Sequence, residues 1–273
     1  MIVKENASPV PADKFGRAGY DAEKQMAFYL RRAYARSDDI LVFNDLRLER
    51  HGEFAQIDHL VVHRFGFVII ESKSVVGQIR VNEHSEFSRV FDGKPRGMRS
   101  PICQANLQRE LLANLLNDHK EVLRRRVWFG LLQGHFLDDR FKILVAIADH
   151  GVIERVGSDP PELFKAEQIV GEVNRIIANH RSMTGVGGFM KTLAADVKFD
   201  RKAAAQAEKD LLPSFTDDEM NSVREFLLSR HSPHATASEE CGQSETVPAL
   251  ARMKGESVCG SAERENGKLT EPP

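Results

Sequence analysis

Cysteine is scarce in this chain: Cys103, Cys241 and Cys259 are the only three in 273 residues. They lie too far apart for a disulfide framework and suit a reducing compartment. No apolar run approaches the roughly 20 residues of a membrane span. The opening Met1-Ile2-Val3-Lys4-Glu5-Asn6 has no hydrophobic signal core, so a cytoplasmic protein with no membrane partner is expected. Charge of one sign is also missing, because the net is −2. Seven acidic and four basic residues from His231 onward leave +1 for the rest. A broad basic face is therefore excluded, and any nucleic-acid surface must be local. Arg31-Arg32, Arg47 with Arg50, and Arg124-Arg125-Arg126 are the candidates. Paired Cys-x-x-Cys spacings are absent, so His231, His234, Cys241 and Cys259 do not make a zinc ribbon. Internal repeats are not apparent.

What is present is ordinary core material: 41% hydrophobic and 29% charged residues, enough to bury a sizeable interior. Met1 to Ala12, with Pro9 and Pro11, reads as a loose arm. A helix follows over about Asp21 to Tyr34, with Glu23, Ala27, Leu30 and Tyr34 on one face. Ile40 to Phe43, Gln78 to Val81 and Glu86 to Phe91 read as strands, the last ending in an Asp92-Gly93 turn. Ser100-Pro101 should cap a helix to about His119, with Cys103, Leu107, Leu111 and Leu115 as its apolar stripe. Val127 to Gln133 and Phe141 to Ala148 read as strands, and Ala166 to Ala178 as a helix. Ser214 to Glu219 should cap a helix over Met220 to Ser229.

The informative stretch is Gln56-Ile57-Asp58-His59-Leu60-Val61-Val62-His63, then Arg64-Phe65-Gly66, then Phe67-Val68-Ile69-Ile70-Glu71-Ser72-Lys73. Both arms read as strands of one hairpin. Alternation places Gln56 with Asp58 on one face, and Glu71 with Lys73 on one face. If the loop is Phe65-Gly66, or runs from Arg64 to Phe67, Asp58 lies opposite Lys73. Glu71 is then its diagonal neighbour at roughly 7–8 Å. A three-residue loop would instead oppose Asp58 to Ser72 and separate the groups.

On the even-loop reading two carboxylates and an ammonium meet at the end of an apolar strand. Burying them costs several kcal/mol unless they are paired or hold a metal. Hard oxygen ligands suit Mg²⁺ or Mn²⁺, and such a centre with a nearby lysine is the chemistry of a metal-dependent phosphodiesterase.

The Gln56-Ile57-Asp58-His59 motif, the strand Gly66 to Lys73 and the following Gly77 resemble the nuclease-related domain (NERD) family, which is assigned to the PD-(D/E)xK restriction-endonuclease-like superfamily. The resemblance runs from about Gly16 to His119. It implies an α/β fold with a central mixed β-sheet flanked by helices, and hydrolysis of DNA phosphodiester bonds with Mg²⁺ or Mn²⁺. DNA is favoured over RNA as partner. It implies Asp58 and Glu71 as metal ligands, Lys73 as the group that orients water or stabilises charge, and Glu23 as a fourth catalytic residue. Gln56 and Gln104 are candidates for orienting phosphate or the carboxylates. The expected organisation is a flexible arm over 1–14, the nuclease-related domain over 15–185, a helical extension over 186–230 and a disordered polar tail over 231–273. The competing expectations are a non-catalytic nucleic-acid-binding or recruitment module, and a structural ion-pair network.

Overall fold

The first long helix starts about two turns before the expected Asp21, because Asp13 caps it. The Asp13 carboxylate accepts hydrogen bonds from Phe15 N (3.0 Å) and Gly16 N (2.8 Å), and α1 runs Lys14–Tyr34. This computed structural model describes residues 1–6, 9–75, 77–127, 132–183 and 214–232. Upstream of α1, within the stretch expected to be a loose arm, Ile2–Lys4 form strand β1. It lies parallel to β2 (Ile40–Arg50).

The central pair is β3 (Glu53–His63) and β4 (Gly66–Lys73), which are antiparallel. Two further strands, β10 (Phe141–Ile147) and β12 (Leu163–Lys165), continue beside β4 in parallel. Among the described residues the sheet order is β1-β2-β3-β4-β10-β12, a mixed sheet with helices on both faces. One face carries α1 and α4 (Ala166–Met183), where Met26, Leu30, Ile169 and Val173 pack on Val61, Val68 and Ile70. The other carries α2 (Pro101–Asp118), the single turn α3 after it (Lys120–Leu123) and α5 (Asp217–Arg230). Here Leu112, Leu116, Val223 and Leu227 bury Phe43, Leu60, Phe67 and Ile69. Residues of β4 are buried on both sides, as the run Phe67 to Ile70 anticipates. The expected α/β architecture is what the chain adopts.

A smaller sheet sits beside this one, ordered β11-β5-β6-β7, from Val152–Arg155, Gln78–Val81, Phe87–Phe91 and Lys94–Met98. The turn between β6 and β7 has Asp92 and Gly93 both at positive φ (50° and 71°), the two-residue hairpin geometry that Asp-Gly favours.

Several expectations are corrected. The hairpin between β3 and β4 turns on Arg64-Phe65, since His63 pairs with Gly66. His63 closes that turn by accepting a hydrogen bond from Phe65 N (3.2 Å). Gly66 belongs to the strand because the neighbouring chain comes too close for a side chain there. A Cβ would collide with the Arg140 carbonyl and lie 3.1 Å from His180 Nδ1. The stripe of α2 holds only in part: Leu111 and Leu115 are buried as expected, but Leu107 is 54% exposed and Cys103 only half-buried, and Pro101, Ala105, Gln108, Leu112 and Leu116 complete the buried face. On α1 the buried stripe is Ala22, Met26, Leu30 and Tyr34, with Glu23 on its flank. Val127 to Gln133 is not one strand, because β8 (Arg126–Val127) pairs with β9 (Leu132–Gln133). Asp138–Arg140 form a 3-10 turn before β10.

Helix α5 follows the expected capping logic. Thr216 Oγ1 accepts from Glu219 N (3.2 Å), and the Glu219 carboxylate accepts from Thr216 N (2.9 Å). The expected domain end near Ser182 to Gly188, most of the helical extension, and the polar tail with His234, Cys241 and Cys259 lie largely or wholly outside the described residues.

Candidate active site

Register places the carboxylates. His59 pairs with Ile70, so the next step along the hairpin brings Asp58 level with Glu71. Asp58 is thus a direct neighbour of Glu71, two residues along β4 from the expected partner Lys73. The link is made by main chain, with Ser72 N donating to Asp58 Oδ2 at 2.7 Å.

Glu71 is almost completely buried, and both its oxygens are engaged. Lys73 Nζ donates to Oε1 at 2.5 Å, and Gln108 Nε2 donates to Oε2 at 2.7 Å. The same Gln108 nitrogen also donates to the Gln56 carbonyl at 2.7 Å, tying α2 to both hairpin strands. Lys73 is further held by Gln104 Oε1 at 3.1 Å. These contacts follow from the α2 phase: residues 104 and 108 are one turn apart and both face β4.

Asp45 joins the cluster from β2. The β2–β3 ladder has Asn44 opposite His59 and Leu46 opposite Ile57, which sets Asp45 across from Asp58. Asp45 adopts φ 54°, a left-handed kink that aspartate tolerates better than most residues. Gln56 Nε2 donates to Asp45 Oδ1 at 3.0 Å. Glu23 enters from α1, half-buried, and accepts from Asn6 Nδ2 at 3.0 Å.

The electrostatics reflect this crowding. Burial, then Glu71, then Glu23 push the Asp58 carboxyl well above the usual carboxylate range, against the Ser72 hydrogen bond and Lys73. Glu23 is also raised, by burial first and by Asp45 next, with the Asn6 hydrogen bond and Lys73 opposing.

Of the residues singled out in the sequence, Glu71, Lys73 and Gln104 are joined by direct hydrogen bonds. Asp58 and Glu23 are coupled to that group through their charges. Gln56 touches Asp45 rather than either hairpin carboxylate. Asp45, Gln108 and Ser72 were not singled out. A helix face one residue out of phase hid Gln108, and Asp45 lies beyond the strand expected over Ile40 to Phe43. Among the described residues, no three His, Cys, Asp or Glu donors are grouped around one point.

Four of the seven basic candidates have other partners. Arg124 is buried against Glu219 (3.3 Å), which removes it from any surface. Arg31 pairs with Glu5 (2.6 Å), and Arg50 with Asp118 (2.7 Å). Arg47 lies over the exposed Phe54 ring at 4.9 Å. A cleft of about 710 Å³ opens beside the site between the β2–β3 hairpin and α2, lined by Gln56, Gln104 and Gln108 among others. No helix among the described residues is long and apolar enough to cross a membrane.

A family model described as nuclease-related domain matches residues 18–131. No curated protein and no solved structure matches the chain.

Proposed function

Starting from residues 18–131 as a nuclease-related domain, we propose that the chain is a metal-dependent nuclease that hydrolyses DNA phosphodiester bonds at the Asp58–Glu71–Lys73 site. The single observation that carries this reading is the juxtaposition of Asp58 with Glu71 at the end of the hairpin, where burial first and Glu71 next push Asp58 upward. Like charges so close and so shielded need a counter-charge, and one ammonium, Lys73, serves several carboxylates.

Mg²⁺ or Mn²⁺ fits the donor set. Asp58 and Glu71 offer hard oxygens, and the buried Gln108 Oε1 beside them has no hydrogen-bond partner among the described residues. When bound, such an ion supplies an activated water and charge stabilisation at phosphorus. The chain's own residues prepare the place. Ser72 N and Gln108 Nε2 fix the two carboxylates by hydrogen bonds at 2.7 Å each. Gln104 holds the Lys73 ammonium, from which charge on a phosphoryl oxygen can be met. The cleft lined by the three glutamines does not include Asp58, Glu71 or Lys73. Gln104 and Gln108 in its wall hold Lys73 and Glu71, however, so a substrate strand laid in it would reach the site at these two side chains. The matched family and the apposed carboxylates both support DNA cleavage over simple binding, since a binder needs basic surface instead.

The test is cleavage of supercoiled plasmid and single-stranded DNA by the purified chain with Mg²⁺, Mn²⁺ or EDTA. Cutting that needs the metal and is lost in Asp58→Ala and Lys73→Ala is expected. DNA binding without cutting, unchanged in both variants, would replace the nuclease with a recruitment module.

A further inference from the structure

The first six residues lie outside the matched segment 18–131, yet two of them reach the carboxylates. Asn6 donates to Glu23. Lys4, on edge strand β1, is only 12% exposed along its side chain. Its ammonium donates to the carbonyls of Asn44 (3.0 Å) and Asp45 (2.7 Å), and lies 3.9 Å from Asp45 Oδ2. Those carbonyls belong to the kink at Asp45, so one cation both secures the kink and faces its carboxylate. Across the neighbouring strands the order is then Lys4 on β1, Asp45 on β2, Asp58 on β3, and Glu71 with Lys73 on β4. A lysine closes each end of the row. Asp58, in the middle, accepts from a neutral backbone N–H.

We propose that Lys4 is the fixed counter-cation of Asp45, a positioning residue that keeps Asp45 from acting as a ligand and confines an exchangeable divalent cation to Asp58 and Glu71. The N-terminal strand is in this sense a working part of the site. An ammonium tied to three carbonyls, those of Asn44, Asp45 and Glu5 (3.3 Å), cannot leave with product, whereas a divalent ion exchanges with solvent. Fixing one cation and leaving one position open makes the number of bound metal ions a property of residue 4. The inference rests on the metal-nuclease reading above.

Titration of the full chain with Mn²⁺ by calorimetry tests it, with cleavage kinetics run in parallel. The wild type should bind one equivalent. Lys4→Met should gain a second equivalent or bind Mn²⁺ at least ten-fold tighter, and its kcat should fall about ten-fold or more with KM for DNA unchanged. Lys4→Arg, which keeps a fixed charge, should restore wild-type stoichiometry. Asp45→Asn, which removes the partner, should still bind one equivalent within about three-fold of wild-type affinity. Wild-type stoichiometry, affinity and kcat in Lys4→Met would overturn the proposal, as would loss of Mn²⁺ binding in Asp45→Asn, which would make Asp45 a ligand. A wild type that binds no Mn²⁺ would instead overturn the nuclease reading itself.

Discussion

Gln108 shows how much of the site depends on one neutral side chain. Its amide nitrogen is shared between Glu71 Oε2 and the Gln56 carbonyl, both at 2.7 Å, from a position 5% exposed. Leucine at 108 would fill the volume and leave both acceptors buried without that donor. The cost of such orphaned groups is about 1–3 kcal/mol. Because Glu71 would also lose one of its two anchors, Gln108→Leu is expected to lower both the melting temperature and the cleavage rate. Gln104→Leu, which removes a contact to the less buried Lys73, should affect rate more than stability. Thermal melts beside single-turnover cleavage separate the two. Equal melting of Gln108→Leu and wild type would mean that the Glu71 anchor lies elsewhere.

At the scale of elements, the close pass of the 3-10 turn residue Arg140 over the start of β4 sets the register of the hairpin. Gly66→Ala would drive a methyl into the Arg140 carbonyl. Overpacking of this kind costs typically 1–3 kcal/mol, and the shift would pass along β4 to Glu71. Urea unfolding should show the loss; an unchanged midpoint would mean the backbone relaxes freely there. This contact also explains what the sequence could and could not reveal. The strands around Asp58 and Glu71 were legible from their β-branched runs, the capping residues Ser100 and Thr216 from their positions, and the α/β class from the pattern as a whole. Register was not legible. A glycine after Arg64-Phe65 looks like a turn residue, and only the approach of a chain 74 residues later shows that it is a strand residue. The face of α2 was only half legible, Leu111 and Leu115 being core as expected, for a related reason: Leu107 and Gln108 are adjacent, and the leucine looks like the core residue until the helix is docked on β4. Asp45 escaped because the strand was expected to end at Phe43, whereas β2 runs on to Arg50 through the kink at Asp45.

For the whole molecule, three buried histidines couple folding to pH: burial lowers His59 to about 3, and the other two form a pair. His63 and His180 stack at 5.3 Å beside Arg140. Burial first, then the facing histidine and Arg140, lower His63 to about 3; burial, then Arg140 and Lys142, lower His180 to about 4. In the unfolded chain both titrate near 6.5. Below that pH the unfolded chain takes up protons that the folded one refuses, so stability falls as pH drops from about 6.5 toward 4 and levels off beneath both folded values. Asp58, raised in the folded state, acts in the opposite sense, so the histidine share is read by difference. Urea midpoints between pH 7 and 4 should fall less steeply in His63→Gln than in wild type. Parallel slopes would remove His63 from the account.

The most direct measurement of the central claim is the melting temperature with EDTA and with excess Mn²⁺, for the wild type and Asp58→Asn. Asparagine keeps an acceptor for Ser72 N and removes the charge that opposes Glu71. In EDTA the variant should melt at or above the wild type, because the repulsion is gone. With Mn²⁺ at about 100 times its dissociation constant, the wild type should gain roughly 2.7 kcal/mol, a rise of several degrees, and the variant little or nothing. A variant that melts lower in EDTA and responds to Mn²⁺ as the wild type does would contradict a shared cation at Asp58 and Glu71.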